Sequence, residues 1–209
     1  IPPEIREGMG EVEFAKNNNF PKLIEVKDIK GAIHIHTNYS DGHNRLEDVV
    51  LTAKKLGFEY LGVCDHSKTV GYANGLSVEE LKEQRKEIDK LNEKYQDICV
   101  LQGSEVDILS DGKIDYDDSV LKMLDFSIAA VHMNFNMTEK EMTARIVSAL
   151  KNKHISMLAH PTGRLLLKRE AYSVDMDQII QAASDYGKII ELNCHPQRFD
   201  IDWRYIKKA

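Results

Sequence analysis

From residue 31 onward, short apolar runs alternate with longer segments of mixed polarity. Six of the runs predict β-strands, because near-continuous apolar stretches of this length are typical of parallel strands that are covered on both faces. The six predicted strands are Ala32–His36, Tyr60–Cys64, Ile98–Gly103, Phe126–Val131, Ile155–Ala159 and Lys188–Asn193.

Helical periodicity fills the intervals between these strands. Ser77 with Glu80, and Thr138 with Glu141, each form the sequence pattern of a capping box and so mark two helix starts. Strands that alternate with helices predict βα units, in which right-handed crossovers join parallel strands. The pattern therefore predicts an α/β fold, and both a barrel and an open sheet are compatible with it. The predicted helices are Leu46–Gly57, Ser77–Tyr95, Asp115–Leu124, Thr138–Asn152, Val174–Tyr186 and Ile201–Lys208.

Residues 1–30 have a different character from the rest of the chain. They are rich in charged residues and in Pro and Gly, and they include the polar run Asn17–Asn19. Such a composition is typical of a connecting segment, here with one short helix around Gly10–Asn17. We therefore interpret 1–30 as a lead-in linker from an upstream domain and 31–209 as the main domain.

Composition narrows the classes of function. The chain has 209 residues and a formal net charge of −6, so it lacks the basic surface of a dedicated DNA-binding module. A nuclease site stays possible, because bound cations would add local positive charge. The three cysteines match neither a disulfide framework nor a zinc knuckle, which indicates a reducing compartment. No apolar run approaches the ~20 residues that span a bilayer. The cytoplasm is the predicted location, with no membrane partner.

Residues that can bind metals cluster at the ends of the predicted strands. His34 and His36 alternate along the first strand and should share one face, and Asp41 follows in the next loop. Such residues also follow the later strands, with Asn193 or His195 as further candidates after the last one. Each alone has an ordinary structural explanation, but their repetition predicts a metal centre and favours a barrel, whose enzymes build sites at this rim. The later-strand candidates are Asp65, His66, Glu105, His132 and His160.

Imidazoles and carboxylates without thiolates suit zinc, manganese or iron(II). More than four ligands implies more than one ion, and Glu105 is suited to bridging two of them. Clustered cations favour hydrolysis of a phosphate ester over redox chemistry. Arg164 follows His160 by four residues and Arg198 follows the sixth strand, so either guanidinium could hold a phosphate oxygen or be a solvated loop charge. The predicted catalytic residues are Asp41, His66, Glu105 and Arg164, and the predicted substrate-binding residues are Arg164 and Arg198.

Six motifs follow one another along the chain: His34-Ile-His36-Thr, Ser40-Asp41-Gly42, Asp65-His66-Ser67, Glu105-Val-Asp107, Val131-His132 and Ala159-His160-Pro161. In this order they resemble the motifs of the PHP (polymerase and histidinol phosphatase) superfamily. The run Ile1–Gly8 and the run His160–Arg164 are most similar to the C-terminal PHP domain of bacterial family X DNA polymerases.

The resemblance implies a distorted (βα) barrel of about seven parallel strands with up to three divalent ions, Mn²⁺ or Zn²⁺. One ion would bind His34, His36 and Glu105, a second Glu105, His132 and His160, and a third Asp41 and His66. It also implies manganese-dependent 3′→5′ exonuclease activity on DNA 3′ ends in DNA repair, with upstream polymerase domains as partners. The family's last strand carries an Asp-x-His pair, and this chain stops before such a pair, so the last strand is expected to be missing here.

Three alternatives stay open at this stage. The first is a phosphomonoesterase of histidinol-phosphatase type that acts on a small metabolite. The second is a catalytically silent PHP module that orders a polymerase partner. A metal-dependent amidohydrolase is a more distant third, because a different ligand set would be expected after the opening His-x-His.

Overall fold

A computed structural model describes the backbone of all 209 residues and every side chain except that of Tyr72. The chain divides into two compact units, Ile1–Lys30 and Gly31–Ala209. The first unit contains α1 (Glu11–Lys16) between two short 3₁₀ helices, Pro3–Ile5 and Val26–Asp28. The predicted short helix around Gly10–Asn17 is thus confirmed, and the role of 1–30 as a linker stays a prediction.

The second unit contains seven parallel strands in two sheets. The sheet orders are β1-β2-β3 and β4-β5-β6-β7, so within each sheet every strand lies beside its neighbour in sequence, as in a barrel. β1 and β7 form the outer edges of this arrangement. The strands are β1 (Gly31–Ile35), β2 (Tyr60–Val63), β3 (Cys99–Gln102), β4 (Glu105–Asp107), β5 (Ile128–Ala130), β6 (Met157–Leu158) and β7 (Ile189–Ile190).

The third predicted strand is confirmed as β3, but Glu105, which was predicted to follow that strand, lies in a further short strand, β4. β3 pairs with β2, whereas β4 pairs with β5. The break falls at Gly103, where a Cβ atom would lie 2.3 Å from the Phe126 ring. The backbone N–H of Glu105 donates to the carbonyl of Asp65 at 3.1 Å, which joins the two sheets across the break. The prediction of six strands was therefore wrong by one, because the strand Glu105–Asp107 was missed.

All six predicted helices are present, but the helices predicted at Asp115–Leu124 and Ile201–Lys208 are each only four residues long. The capping boxes are confirmed: the Ser77 hydroxyl accepts from the Glu80 N–H at 3.2 Å, and the Thr138 hydroxyl accepts from the Glu141 N–H at 3.3 Å. These caps satisfy N–H groups that have no partner within the helix. The helices are α2 (Leu46–Lys55), α3 (Val78–Lys94), α4 (Asp118–Leu121), α5 (Glu139–Leu150), α6 (Met176–Asp185) and α7 (Trp203–Ile206).

The central strands β4, β5 and β6 are buried on both faces. In β5 and β6, Ala129 and Leu158 pack with residues from the helices, whereas Ile128 and Met157 pack with Cys64 in a separate inner cluster. Alternate residues thus contact the helical layer and the barrel interior, which explains why the strands read as continuous apolar runs. The fold is the predicted distorted (βα) barrel. Among the described residues, no helix is both long and apolar enough to span a bilayer.

Candidate metal centre

Glu105 is a buried carboxylate in β4, with only 1% of its surface exposed. Five imidazole nitrogens from four other segments lie within 3.4 Å of its oxygens. Strand ends that are far apart in sequence therefore converge on one carboxylate. Oε1 lies 2.8 Å from Nε2 of His160 and 3.1 Å from Nε2 of His132; Oε2 lies 3.1 Å from Nδ1 of His66, 3.2 Å from Nε2 of His34 and 3.4 Å from Nε2 of His36.

The five imidazoles form a closed ring around Glu105. Neighbouring ring centroids are between 4.5 Å, for His36 and His66, and 5.8 Å, for His34 and His160. Asp41 lies at the rim with 49% of its side chain exposed, 3.3 Å from His36 and 3.6 Å from His66. The predicted set of seven metal-capable residues is thus brought together in one cluster.

Three groups within the cluster have ligand atoms that all lie within 4.8 Å of one another. The group of His34, His36 and Glu105 coincides with the first ligand set that the family resemblance implied. The group of Asp41, His66 and His36 contains the third implied set and adds His36 to it. The remaining group combines His66 with Glu105 and His132, while His160 reaches Glu105 beside it.

His34 and His36 converge on Glu105, but not through the regular strand alternation that we predicted. His34 has a φ of 71°, in the left-handed region that non-glycine residues seldom adopt. The pairing of β1 with β2 is also irregular between Ala32 and Ile35. A local distortion of the strand, which the residue pattern does not reveal, therefore aims both rings at one carboxylate.

Asp65 supports the site without belonging to the cluster. Its buried oxygens accept hydrogen bonds from the Thr37 N–H and hydroxyl at 2.7 Å each, from the Ser40 hydroxyl at 2.5 Å and from the Gln84 amide at 2.7 Å. These bonds hold the loop 37–41, which follows His36 and ends at Asp41. Asp65 was predicted as a candidate ligand, and the structure shows its oxygens directed to this loop.

Two carboxylates that sequence reasoning missed bind the outer nitrogens of the histidines. Oε1 of Glu191 lies 2.5 Å from Nδ1 of His34, and Oδ1 of Asp107 lies 3.2 Å from Nδ1 of His132. Asp107 could have been found from its place two residues after Glu105, since residues two apart in a strand share a face. For Glu191 the only signal was an acidic residue within an otherwise apolar run.

The predicted arginines differ in their surroundings. The Arg164 guanidinium bonds Asp202 at 2.7 Å and the carbonyl of Arg198 at 3.0 Å, and it also bonds the carbonyl of Phe199. In contrast, Nη1 of Arg198 is buried without a hydrogen-bond partner among the described residues. His195 is exposed and accepts a hydrogen bond from the Gln197 N–H at 3.2 Å, and it is in none of the three groups.

Burial lowers the pKa values of the histidines, whereas neighbouring carboxylates raise them. Burial alone would lower the pKa of His34, but the carboxylates of Glu105 and Glu191 outweigh it and raise this pKa to about 10. At His132, burial again lowers the pKa, but the carboxylates of Asp107 and Glu105 outweigh it. The pKa of His132 therefore rises to about 9. Burial prevails at His66 and lowers its pKa to about 4, and it also lowers the pKa of His160.

The carboxylates of the cluster are held in their charged form. Burial would raise the pKa of Glu105, but the charge of His34 and hydrogen bonds from His132 and His160 hold it well below its usual range. The imidazole of His36, whose Nδ1 lies 3.3 Å from Asp41, lowers the pKa of Asp41 to about 2. Glu105, within the ring of imidazoles, and Asp41, at its rim, are therefore both anionic.

The donor set fits divalent metal ions. Nitrogen and oxygen donors without sulfur match zinc and manganese. The Nδ1 atoms of His36 and His66 are buried and have no hydrogen bond among the described residues. Such unsatisfied atoms are costly in an interior, and bound cations would satisfy them.

Three comparisons relate the chain to known proteins. Residues 32–195 match the family model described as the PHP domain. The chain is 43% identical over 209 residues to the DNA polymerase/3′-5′ exonuclease PolX of Bacillus subtilis, and it spans 36% of that protein. It is also 32% identical over 166 residues to a probable phosphatase of Caldicellulosiruptor bescii. The aligned region covers 77% of this chain and 63% of the phosphatase.

A solved structure has the same fold. It is the histidinol phosphate phosphatase of Lactococcus lactis, complexed with zinc, L-histidinol and phosphate. The TM-score is 0.56 at 15% sequence identity, with 77% of this chain and 72% of the other covered. At this identity the likeness concerns the fold alone, and the family follows from the match over 32–195. This chain belongs to the PHP domain family.

Proposed function

We propose that the cluster around Glu105 holds divalent metal ions and hydrolyses phosphate esters. The observation that carries this proposal is the ring of five imidazoles around one buried carboxylate, with Asp41 at its rim. A structural role alone gives little reason to bury so many ionisable groups together, because each loses hydration. Perturbed ionisable groups that face one another are typical of functional sites.

Up to three ions would bind, with Zn²⁺ or Mn²⁺ as the metal. The first ion would be held by His34, His36 and Glu105. The second would be held by Glu105, His132 and His160, and the third by Asp41 and His66. When bound, such ions supply positive charge to phosphate oxygens and promote ionisation of a water molecule. Glu105 would bridge the first two sites, since its two oxygens face different histidines.

The residues of the chain prepare this site in different ways. His66 and His160 have lowered pKa values, so they are neutral at pH 7 and present a lone pair. Asp41 is half-exposed and charged, and it places an anionic ligand where substrate would arrive. The unpaired Nη1 of Arg198 is a donor for a phosphate oxygen, as expected for a guanidinium beside an anionic substrate. Arg164 stays a predicted catalytic residue.

The proposed substrate is the phosphodiester at a DNA 3′ end, cleaved as a 3′→5′ exonuclease in DNA repair. Support comes from the 43% identity to a protein named as a DNA polymerase/3′-5′ exonuclease. The net charge of −6 indicates that most of the DNA contact would come from upstream polymerase domains. The cytoplasm is the proposed location.

A phosphomonoesterase acting on a small metabolite is the second candidate. The 32% identity to a protein named as a probable phosphatase favours it. The two candidates share the metal centre and differ in the size and charge of the substrate. A silent structural module would share the fold and lack hydrolytic activity.

One experiment separates these candidates. Hydrolysis of a 3′-recessed oligonucleotide and of L-histidinol phosphate is measured with Mn²⁺ for the chain alone and for the chain joined to polymerase domains. We expect release of 3′ nucleotides, abolished by His132→Ala and retained in His154→Ala, since His154 lies outside the cluster beside Asp118. Faster cleavage of the monoester would favour the phosphatase. A folded protein inactive on both substrates would contradict the proposal.

A further inference from the structure

Glu191 lies immediately after β7 and joins three parts of the barrel. Its Oε1 contacts Nδ1 of His34 in β1 at 2.5 Å. Its Oε2 accepts hydrogen bonds from the backbone N–H of His160 at 2.8 Å and from the Asn193 amide at 3.2 Å. One carboxylate therefore connects β1 and the end of β7 with His160, two residues after the end of β6.

Both histidines that Glu191 contacts have unusual backbone conformations. The φ angles are 71° for His34 and 24° for His160, and positive values are uncommon for residues other than glycine. Such conformations persist only where surrounding contacts enforce them, and they concentrate at functional sites. Glu191 bonds the side chain of one of these residues and the backbone of the other, so it supports both at once.

We infer that Glu191 is a positioning residue that holds a proton on Nδ1 of His34, so that when an ion binds it is Nε2, on the side of Glu105, that gives up its proton and binds the ion. The inference rests on the proposed function. Nε2 of His34 lies 3.2 Å from Glu105, on the side of the ring opposite to Glu191. A carboxylate can only accept hydrogen bonds, so it selects the form of the imidazole that carries a proton on the nitrogen facing it.

The surroundings of Glu191 make Glu191→Gln a sharp test. The Asn193 amide is oriented, because its Oδ1 accepts a hydrogen bond from the His195 N–H at 3.1 Å and its nitrogen therefore faces Glu191. The His160 N–H is a second donor on the same side. The amide oxygen of a glutamine must face these two donors, which leaves its NH₂ group against Nδ1 of His34. Nδ1 would then accept, and the proton of a neutral His34 would move to Nε2, where it opposes the ion.

Asp125 provides a matched control. Its carboxylate also accepts from a backbone N–H, that of Gln102 at 2.7 Å, and from a side chain, that of Arg85 at 2.9 Å. Asp125→Asn therefore perturbs a comparable hydrogen-bonded carboxylate, bound to Gln102 and Arg85 rather than to an imidazole. Glu191→Asp is a second variant, because it keeps an acceptor-only group at the position.

The experiment measures zinc binding by the intact chain in competition with a chromophoric chelator, together with ¹⁵N NMR of histidine-labelled, zinc-loaded protein. For E191Q we expect one ion to bind about 10–100-fold more weakly and the Nδ1–H signal of His34 to be lost. For D125N we expect zinc affinity and the signal to match the wild type. E191D should keep the Nδ1–H signal and bind zinc more tightly than E191Q.

Unchanged zinc affinity in E191Q, or an Nδ1–H signal that persists in it, would overturn the inference alone. If E191Q does not fold, E191D decides: a folded E191D that lacks the Nδ1–H signal overturns the inference, and one that keeps it supports the inference. Wild-type protein that binds no zinc would instead contradict the proposed function, and this inference with it.

Discussion

The Nε2 atom of His160 lies 2.8 Å from Oε1 of Glu105, which links the end of β6 to β4 inside the barrel. His36 approaches the other oxygen of the same carboxylate at 3.4 Å, from the end of β1. Glu105 is thus the one anion that the whole ring of imidazoles shares, and its replacement should affect both stability and metal binding.

We expect Glu105→Gln to destabilise the chelator-treated protein by about 3–5 kcal/mol, because removal of one partner leaves buried cationic histidines uncompensated. The same variant should lose the ions that Glu105 bridges. Urea unfolding and metal analysis measure the two effects. Glu47→Gln is the control, since Glu47 pairs with Lys94 on the surface and its loss should cost much less. Equal destabilisation in the two variants would contradict a central role for Glu105.

Without added metal, stability should fall as the pH rises above neutrality. The pKa values of His34 and His132 are raised to about 10 and about 9, from about 6.5 in an unfolded chain. A raised folded-state pKa stabilises the protein fully below the unfolded pKa, and the contribution is lost as the pH rises through the folded pKa. We therefore expect a loss on the order of a few kcal/mol between about pH 6.5 and 10.

Zinc affinity should change in the opposite direction, increasing with pH, since an ion must displace these protons. Denaturant unfolding with chelator at pH 6.5 and 9.5, and zinc titrations at the same pH values, measure both trends. His34→Ala should reduce the alkaline loss of stability. Stability that is constant or rises over this interval would contradict the assignment of protons to His34 and His132.

Arg198 and Arg164 should have separable roles. Arg198→Ala removes a guanidinium whose Nη1 has no partner among the described residues, so stability should change little. Loss of one charge-assisted bond to phosphate should lower kcat/KM about 10–100-fold, mainly through KM. Arg164→Ala breaks the bond to Asp202 and should destabilise the protein by about 1–3 kcal/mol. Steady-state kinetics and urea unfolding of both variants test this, and a stable R164A with reduced kcat would instead support the predicted catalytic role of Arg164.

Asp65→Asn should loosen the loop that carries Asp41. Asp65 now accepts hydrogen bonds from Thr37, Ser40 and Gln84. The NH₂ group of an asparagine would face one of these donors and could not accept its hydrogen bond. We expect a loss of about 1–3 kcal/mol and weaker binding of the ion assigned to Asp41 and His66. Asp97→Asn, at an exposed carboxylate that bonds Lys54, serves as the control. Unchanged metal stoichiometry and stability in D65N would refute this supporting role.

Much of the fold was predictable because the relevant signals are local. Capping boxes at Ser77 and Thr138 and apolar runs of strand length depend on neighbouring residues, and these predictions were confirmed. The short strand Glu105–Asp107 was missed, since it depends on pairing with β5, in which Ile128 lies 23 positions from its partner Glu105.

The members of the candidate site were predictable as residue types at strand ends, and their geometry was not. The positive φ of His34 and its contact with Glu191 depend on tertiary packing between the first and last strands. The engagement of Arg164 by Asp202 likewise depends on how the loop 191–202 folds back. Sequence spacing contains no direct signal for these contacts, because they join segments that are more than 30 positions apart.

The most direct test of the account is anomalous X-ray diffraction from crystals of this chain grown with manganese. We predict anomalous peaks within the ring of histidines, at about 2.0–2.3 Å from oxygens of Glu105 and from imidazole nitrogens. Crystals of Glu105→Gln grown in the same way should lack the peaks next to that position. Manganese that binds elsewhere on the protein, or nowhere, while His36, His132 and His160 still surround Glu105, would contradict the claim that this cluster is a metal centre.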